Sequence, residues 1–159
     1  MNKALLNIFV LRIKMNIVLD SNVLLQVAFT QKPLRIVWDK LLSGAYTLCV
    51  TEDILFEYQE KVIDCFHNEQ LANLLIDTLL NCEHVKRVET YFRYNYIQAD
   101  KDDNKFVDCA FASQADFIVT DDAHFEELAK SSFPAFCVIG LDSFAEMMSG
   151  EMTRKSHRT

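Results

Sequence analysis

The strongest constraint on what this chain can fold into is a set of short apolar runs that do not alternate with polar residues. Ile17-Val18-Leu19 closes on Asp20, and comparable runs span Tyr46 to Val50, Phe117 to Thr120 and Phe136 to Ile139, with a weaker one near His84 to Val88. They are strand-length, mostly β-branched or aromatic, and read as strands buried on both faces. Between them, Leu34 to Leu42, Ile54 to Phe66, Leu71 to Leu80, Asp103 to Gln114 and Ala123 to Ala129 repeat apolar residues at three- and four-residue steps. Leu141 to Met148 reads as a closing helix. Strands alternating with helices require crossover connections, so the expected fold is an α/β/α sandwich around a central parallel sheet.

Composition sets the outer limits. The chain has 159 residues, 50% of them apolar, with three Gly and two Pro, which suits one domain with a substantial core and excludes low-complexity and disordered classes. A single domain is expected over residues 15–149, preceded by an N-terminal extension (1–14) upstream of Met15 and followed by a basic, flexible tail (150–159). Cys49, Cys65, Cys82, Cys109 and Cys137 are odd in number and form no C-x-x-C pair, so they read as reduced core residues of a cytoplasmic protein. No window approaches the roughly 20 apolar residues of a membrane span. A formal net charge of -7 argues against non-specific nucleic-acid binding, which depends on Lys and Arg displacing counterions. The basic residues are concentrated early, at Lys3, Arg12, Lys14, Lys32, Arg35 and Lys40, and in the tail at Arg154, Lys155 and Arg158.

In an open α/β sheet, ligands collect beyond the carboxyl ends of the strands. That edge receives Asp20, after the first strand, and Asp122, two residues beyond Thr120. It also receives Asp103, if the loop before its helix lies on the same side; Asp103 continues the inward stripe Val107, Ala110, Phe111 and Gln114. Glu57 adjoins the stripe Ile54, Tyr58, Val62 and Cys65 on the helix after the second strand. Each acid also has a structural reading. Asp122 can cap the helix that follows, Asp102 can cap the next one, Asp100, Asp102 and Asp103 can favour a helix N-terminus, and Glu57 can be a solvated helix residue. Asp20 has no such reading, because it ends a fully apolar strand. Carboxylates about 4 Å apart repel by on the order of 4 kcal/mol at an effective dielectric near 20. Of the basic residues only Lys101 and Lys105 are near in sequence, so a divalent cation is the expected neutraliser. Oxygen donors without His or Cys favour Mg²⁺ or Mn²⁺ over zinc. His67, His84, His124 and His157 show no ligand spacing, and His124, the nearest, reads as a surface residue.

Other chemistries lack their residues. Asp100-x-Asp102-x-Asn104 opens like a calcium loop, but Lys105 stands where Gly is needed and Phe111 where Glu is needed. There is no G-x-x-x-x-G-K-[ST], no G-x-G-x-x-G, no G-x-S-x-G and no Cys/His nucleophile signature.

Four segments, in order, resemble the PIN-domain family: Ile17-Val18-Leu19-Asp20-Ser21-Asn22-Val23, Thr51-Glu52-Asp53-Ile54-Leu55-Phe56-Glu57-Tyr58, Asp100 to Ala110, and Ala115 to Asp122. Within it they are most similar to the toxin components of toxin-antitoxin pairs (VapC-like), over roughly Asn16 to Phe144. The resemblance implies strand order 3-2-1-4-5 and a metal-dependent ribonuclease whose acidic quartet is Asp20, Glu57, Asp103 and Asp122, with Asn22 and Thr120 as supports. Asp121 stands where the family usually has Gly or another small or basic residue, which leaves Asp121 as an alternative ligand to Asp122. Lys101 replaces a usual Pro.

On this reading Asp20, Asp103 and Asp122 hold one or two Mg²⁺ or Mn²⁺ ions, Glu57 is a ligand or water-orienting base, and the substrate is single-stranded or loop RNA. An antitoxin is the expected protein partner. Lys14, Lys32, Arg35 and Arg93 or the tail are expected to form a basic track toward the site, doubled by homodimerisation. The rival readings are a HAD-like or receiver-like phosphohydrolase or phospho-acceptor domain, with Asp20 as nucleophile, and a non-catalytic metal- or antitoxin-binding PIN domain. The first wants a second Asp where Asn22 stands and a Lys after the fifth strand, where Gly140-Leu141 stands.

Overall fold

A computed structural model describes residues 14–31, 33–93, 95, 97, 101–129 and 137–150. The extension before Lys14, the tail beyond Gly150, Lys32 and Asp100 lie outside the described residues. Five parallel strands run β1 (Asn16–Leu19), β2 (Thr47–Val50), β3 (Val85–Arg87), β4 (Phe117–Val119) and β5 (Val138–Ile139), and lie in the order β3-β2-β1-β4-β5. Register is set by the pairs Ile17 with Leu48, Ile17 with Phe117, Leu48 with Val85 and Ile118 with Val138. Ile17, Val18 and Leu19 are fully buried, as an apolar run without alternation requires of a strand covered on both faces.

Helix α1 (Ser21–Phe29) and α2 (Arg35–Leu42) link β1 to β2, and α3 (Glu52–Phe66) and α4 (Glu69–Asn81) link β2 to β3. A 3₁₀ turn (Lys101–Asp103) leads into α5 (Asn104–Ser113) before β4, a second (Ala123–Phe125) leads into α6 (Glu126–Ala129), and α7 (Leu141–Ser149) closes the chain. Helix α5 lies across β1, β2 and β4, whereas α1 packs on α2 and α3, α2 on α7, and α3 on α4. Since parallel crossovers are right-handed, connections running left from β1 and right from β4 place their helices on opposite faces. The sheet direction therefore reverses between β1 and β4, which opens a crevice at their carboxyl ends.

Local chemistry sets the helix ends. The Thr51 hydroxyl accepts the Ile54 N–H (3.2 Å) and Asn68 Oδ1 accepts that of Leu71 (2.9 Å), so both helices after β2 start on side-chain caps. His67 and Gln114 end α3 and α5 in the left-handed region, at φ 50° and 53°. Helix α1 is absent from the sequence expectation. Its run Val23-Leu24-Leu25-Gln26-Val27-Ala28-Phe29 is too short and too apolar for periodicity to separate helix from buried strand, and in the structure all but one face of it is buried. Cys49 and Cys109 are core residues as expected, but Cys65 and Cys137 are exposed.

Candidate metal centre

The site begins where β1 stops. Asp20 is buried, and its position before α1 would suit a cap, yet its carboxylate makes no capping bond. Instead Oδ2 accepts the Thr120 hydroxyl (2.8 Å) from the end of the neighbouring strand β4. The same Thr120 oxygen accepts the Asp122 N–H (3.0 Å), so one hydroxyl fixes Asp20 and the turn carrying Asp122 together. From the α3 side, the Tyr58 hydroxyl donates to the Leu19 carbonyl (2.6 Å) and anchors the strand end.

Asp122 does cap, since its Oδ1 accepts the His124 N–H (2.9 Å). That bond folds the turn so that His124 Nδ1 lies 3.4 Å from Asp122 Oδ1 and 3.3 Å from Asp103 Oδ2. Asp103 sits at the head of α5 in helical conformation, and its side chain makes no cap bond. Donor atoms of Asp103, Asp122 and His124 all lie within 4.8 Å of one another, close enough to share an ion. His124 thus keeps a half-exposed imidazole, as expected of a surface residue, but stands against two acids, which its lack of ligand spacing did not suggest.

Glu57 is held apart from that cluster. Its Oε1 accepts the buried Ser21 hydroxyl (2.7 Å) and its Oε2 pairs with the Lys105 ammonium. Burial pulls the Lys105 pKa down, the Glu57 carboxylate pulls it up, and the net direction is up. So part of the negative charge is met by Lys105, one of the two cations near in sequence, while its ammonium stands at Glu57 and not among Asp103, Asp122 and His124.

Asp20 feels the remaining charge. Burial, first, raises its carboxyl pKa above the ordinary 3.8; the Thr120 hydroxyl and the Ser21 N–H pull it down, and the charges of Asp122 and Glu57 push it up again. Asp20 therefore lies within electrostatic reach of Asp122 and Glu57, and Asp103 joins Asp122 through His124.

One expected support, Asn22, and the alternative ligand, Asp121, stand elsewhere than expected. Asn22 is exposed and takes no part in these hydrogen bonds; the adjoining Ser21 does. Asp121 is exposed and its Oδ1 accepts the Leu141 N–H (3.1 Å), capping α7 from across the sheet edge, and it is not in the Asp103, Asp122 and His124 group. The basic track also changes. Lys14 bonds His84 Nδ1 (2.8 Å) beside the amino ends of β1 and β3, the edge opposite the acids. Arg35 donates to the Ala28 carbonyl (2.8 Å) at the end of α1, which runs back toward that same edge. Among the described residues, Arg93 is the member of the expected track that approaches, lining with Glu57 and Lys105 a cleft of about 370 Å³ whose walls include none of the other three acids.

The donor set Asp103, Asp122 and His124 fits a divalent cation: carboxylate oxygens from the turn after β4 and the head of α5, with one imidazole nitrogen added, so the expected all-oxygen donor set is not what the structure brings together.

A family model described as "PIN domain" matches residues 16–124. No curated protein matches the chain. Among solved structures, VapBC2 from Rickettsia felis, bound to a DNA fragment from its promoter, aligns with a TM-score of 0.57 at 15% identity, covering 79% of this chain and 98% of that one. PAE2754 from Pyrobaculum aerophilum aligns with a TM-score of 0.56 at 14% identity, covering 86% and 90%.

Proposed function

This chain belongs to the PIN-domain family, and from that premise we propose that it is a metal-dependent endoribonuclease acting as the toxin of a toxin-antitoxin pair. The observation that carries the reading is the meeting of carboxylates from separate elements around Thr120 and His124, at the crevice between β1 and β4. Asp20 is kept there buried and beside other carboxylates, an arrangement whose charge repulsion a bound dication relieves.

In the proposed reaction Asp103 and Asp122, with Asp20 beside them, would hold a Mg²⁺ or Mn²⁺ ion. Such an ion lowers the pKa of a bound water and offsets negative charge on the scissile phosphate. The Thr120 hydroxyl keeps Asp20 in one rotamer and ties it to the Asp122 turn. Glu57, paired with Lys105 and oriented by Ser21, would take the proton of the attacking water. The water oxygen would bond to phosphorus as the bond to the ribose oxygen breaks, and the departing oxygen would take a proton from solvent to leave as a hydroxyl. Arg93, in the cleft beside Glu57, contacts a neighbouring phosphate of the RNA.

The likeness to VapBC2 supports a small antitoxin as partner, and the family supports action on RNA in the cytoplasm. Among the described residues no helix is long and apolar enough to cross a membrane.

Thermal melting in EDTA, then with Mg²⁺ or Mn²⁺, tests the site, because a ligand of the native state alone raises the midpoint. The metal shift and cleavage of a mixed RNA panel are both expected for the wild type and lost in Asp20→Asn. Equal cleavage by Asp20→Asn would overturn the reading and point to a contaminating nuclease.

A further inference from the structure

We propose that His124 is itself a ligand of the metal centre, through Nδ1, and that this nitrogen makes the site prefer Mn²⁺ to Mg²⁺. The inference rests on the metal-dependent reading above and adds to its carboxylate donors a residue that sequence spacing gave no reason to include. Three features carry it. His124 Nδ1 lies 3.3 Å from Asp103 Oδ2 and 3.4 Å from Asp122 Oδ1. Neighbouring donors around a six-coordinate ion with bonds of about 2.1 Å stand roughly 3 Å apart, so Nδ1 is spaced from each carboxylate oxygen much as an adjacent ligand would be, and all three donors lie within 4.8 Å of one another. The ring is placed by backbone: the bond from the His124 N–H to Asp122 Oδ1 ties the imidazole to one of its partner acids within a single turn. Finally, Glu57 is engaged by Lys105 and Ser21, which leaves the Asp103, Asp122 and His124 group as the compact set of donors among the described residues.

The choice of ion follows from donor chemistry. Mg²⁺ is a hard ion that binds oxygen and gives up water reluctantly, whereas transition-metal dications accept imidazole readily. Replacing one oxygen by Nδ1 therefore costs Mg²⁺ more than it costs Mn²⁺. The imidazole is half-exposed, so its removal leaves no cavity in the core.

The test uses the full chain with Mn²⁺ or Mg²⁺ alone, no RNA and no turnover. Electron spin-echo modulation of bound Mn²⁺ reports directly on a coordinated ¹⁴N. Wild type is expected to show imidazole nitrogen modulation, and His124→Ala to lose it while its Mn²⁺ Kd rises at least about tenfold and its Mg²⁺ Kd, read by competition, changes less than about threefold. His124→Asn places an oxygen near the position of Nδ1; it is expected to lose the modulation and the Mn²⁺ preference yet still bind Mg²⁺, and it serves if His124→Ala does not fold. Bound Mn²⁺ without nitrogen modulation would overturn the proposal and leave the carboxylate reading standing, with His124 reduced to positioning Asp103 and Asp122. Equal weakening of both ions would overturn the selectivity. Wild type that binds neither ion would sink this proposal and the metal-dependent function together.

Discussion

At the scale of single residues, the two consecutive aspartates after β4 divide the work. Asp121 accepts the Leu141 N–H and so serves the start of α7, while Asp122 turns toward His124 and Asp103. Asp121→Ala should cost about 0.5–2 kcal/mol, in the range of a lost helix cap, and leave Mn²⁺ affinity unchanged. Asp122→Ala should abolish metal binding; paired melting curves and Mn²⁺ titrations check both, and weaker metal binding in Asp121→Ala would reverse the assignment. Asp20 yields a prediction of a different kind. Its folded pKa lies above the unfolded value, so the unfolded state ionises first and the native state loses stability as pH rises from about 3.8 to the raised value, then levels off. In EDTA, Asp20→Asn should remove that loss, so at neutral pH the metal-free variant should melt above metal-free wild type, and the order should reverse once metal is added. A variant that melts lower in EDTA would show that the Thr120 bond outweighs burial and repulsion. These roles were only partly legible. That Asp20 has no structural reason to end an apolar strand can be seen in the sequence; that Ser21 rather than Asn22 supports the site cannot, because which side chain faces Glu57 depends on how α1 leaves the strand.

At the scale of elements, the site depends on bonds that pin one element's end to another. The Tyr58 hydroxyl from α3 is the partner of the Leu19 carbonyl at the end of β1, and both are buried. Tyr58→Phe leaves that carbonyl without its donor and should cost about 1–3 kcal/mol in denaturant unfolding. A neutral result would mean that the carbonyl finds another donor. The start of α7 gives a sharper case. Gly140 has φ of -73°, which any residue adopts, but a Cβ there would come within 2.9 Å of Asp121 Oδ1. Gly140→Ala should therefore destabilise by displacing the capping carboxylate, and should cost little in an Asp121→Ala background. A double-mutant cycle measures that coupling, and full additivity would count against the clash. Helix α1 is where reading by pattern failed, because a nine-residue apolar segment carries both periodicities. The longer α3, with its Thr51 cap and polar outer face, was legible from its stripe.

At the scale of the whole molecule, charge and topology pull in different directions. The net charge of -7 disfavours RNA, and two described members of the expected basic track, Lys14 and Arg35, are engaged at the opposite edge of the sheet, while Lys32 and the tail lie outside the described residues. Among the described residues, Arg93 and Lys105 are the cations of the cleft beside Glu57. Binding of an RNA oligomer to the inactive Asp20→Asn variant should then weaken with salt along a shallow log-log slope of roughly -0.7 to -1.4, the value for one or two neutralised phosphates on a single strand. A slope several times steeper would show that cations elsewhere, such as Lys32 or the tail, join the interface. By itself the sequence determined the class of fold, because unalternating apolar runs separated by helical stripes leave a buried parallel sheet as their stable arrangement. It also nominated the acids, since their positions follow from where strands and helices begin and end. Only the tertiary structure decided the company those acids keep: Thr120 on Asp20, Lys105 and Ser21 on Glu57, His124 between Asp103 and Asp122. Such contacts join residues up to 100 positions apart, and they depend on distances of a few ångströms that no local periodicity encodes.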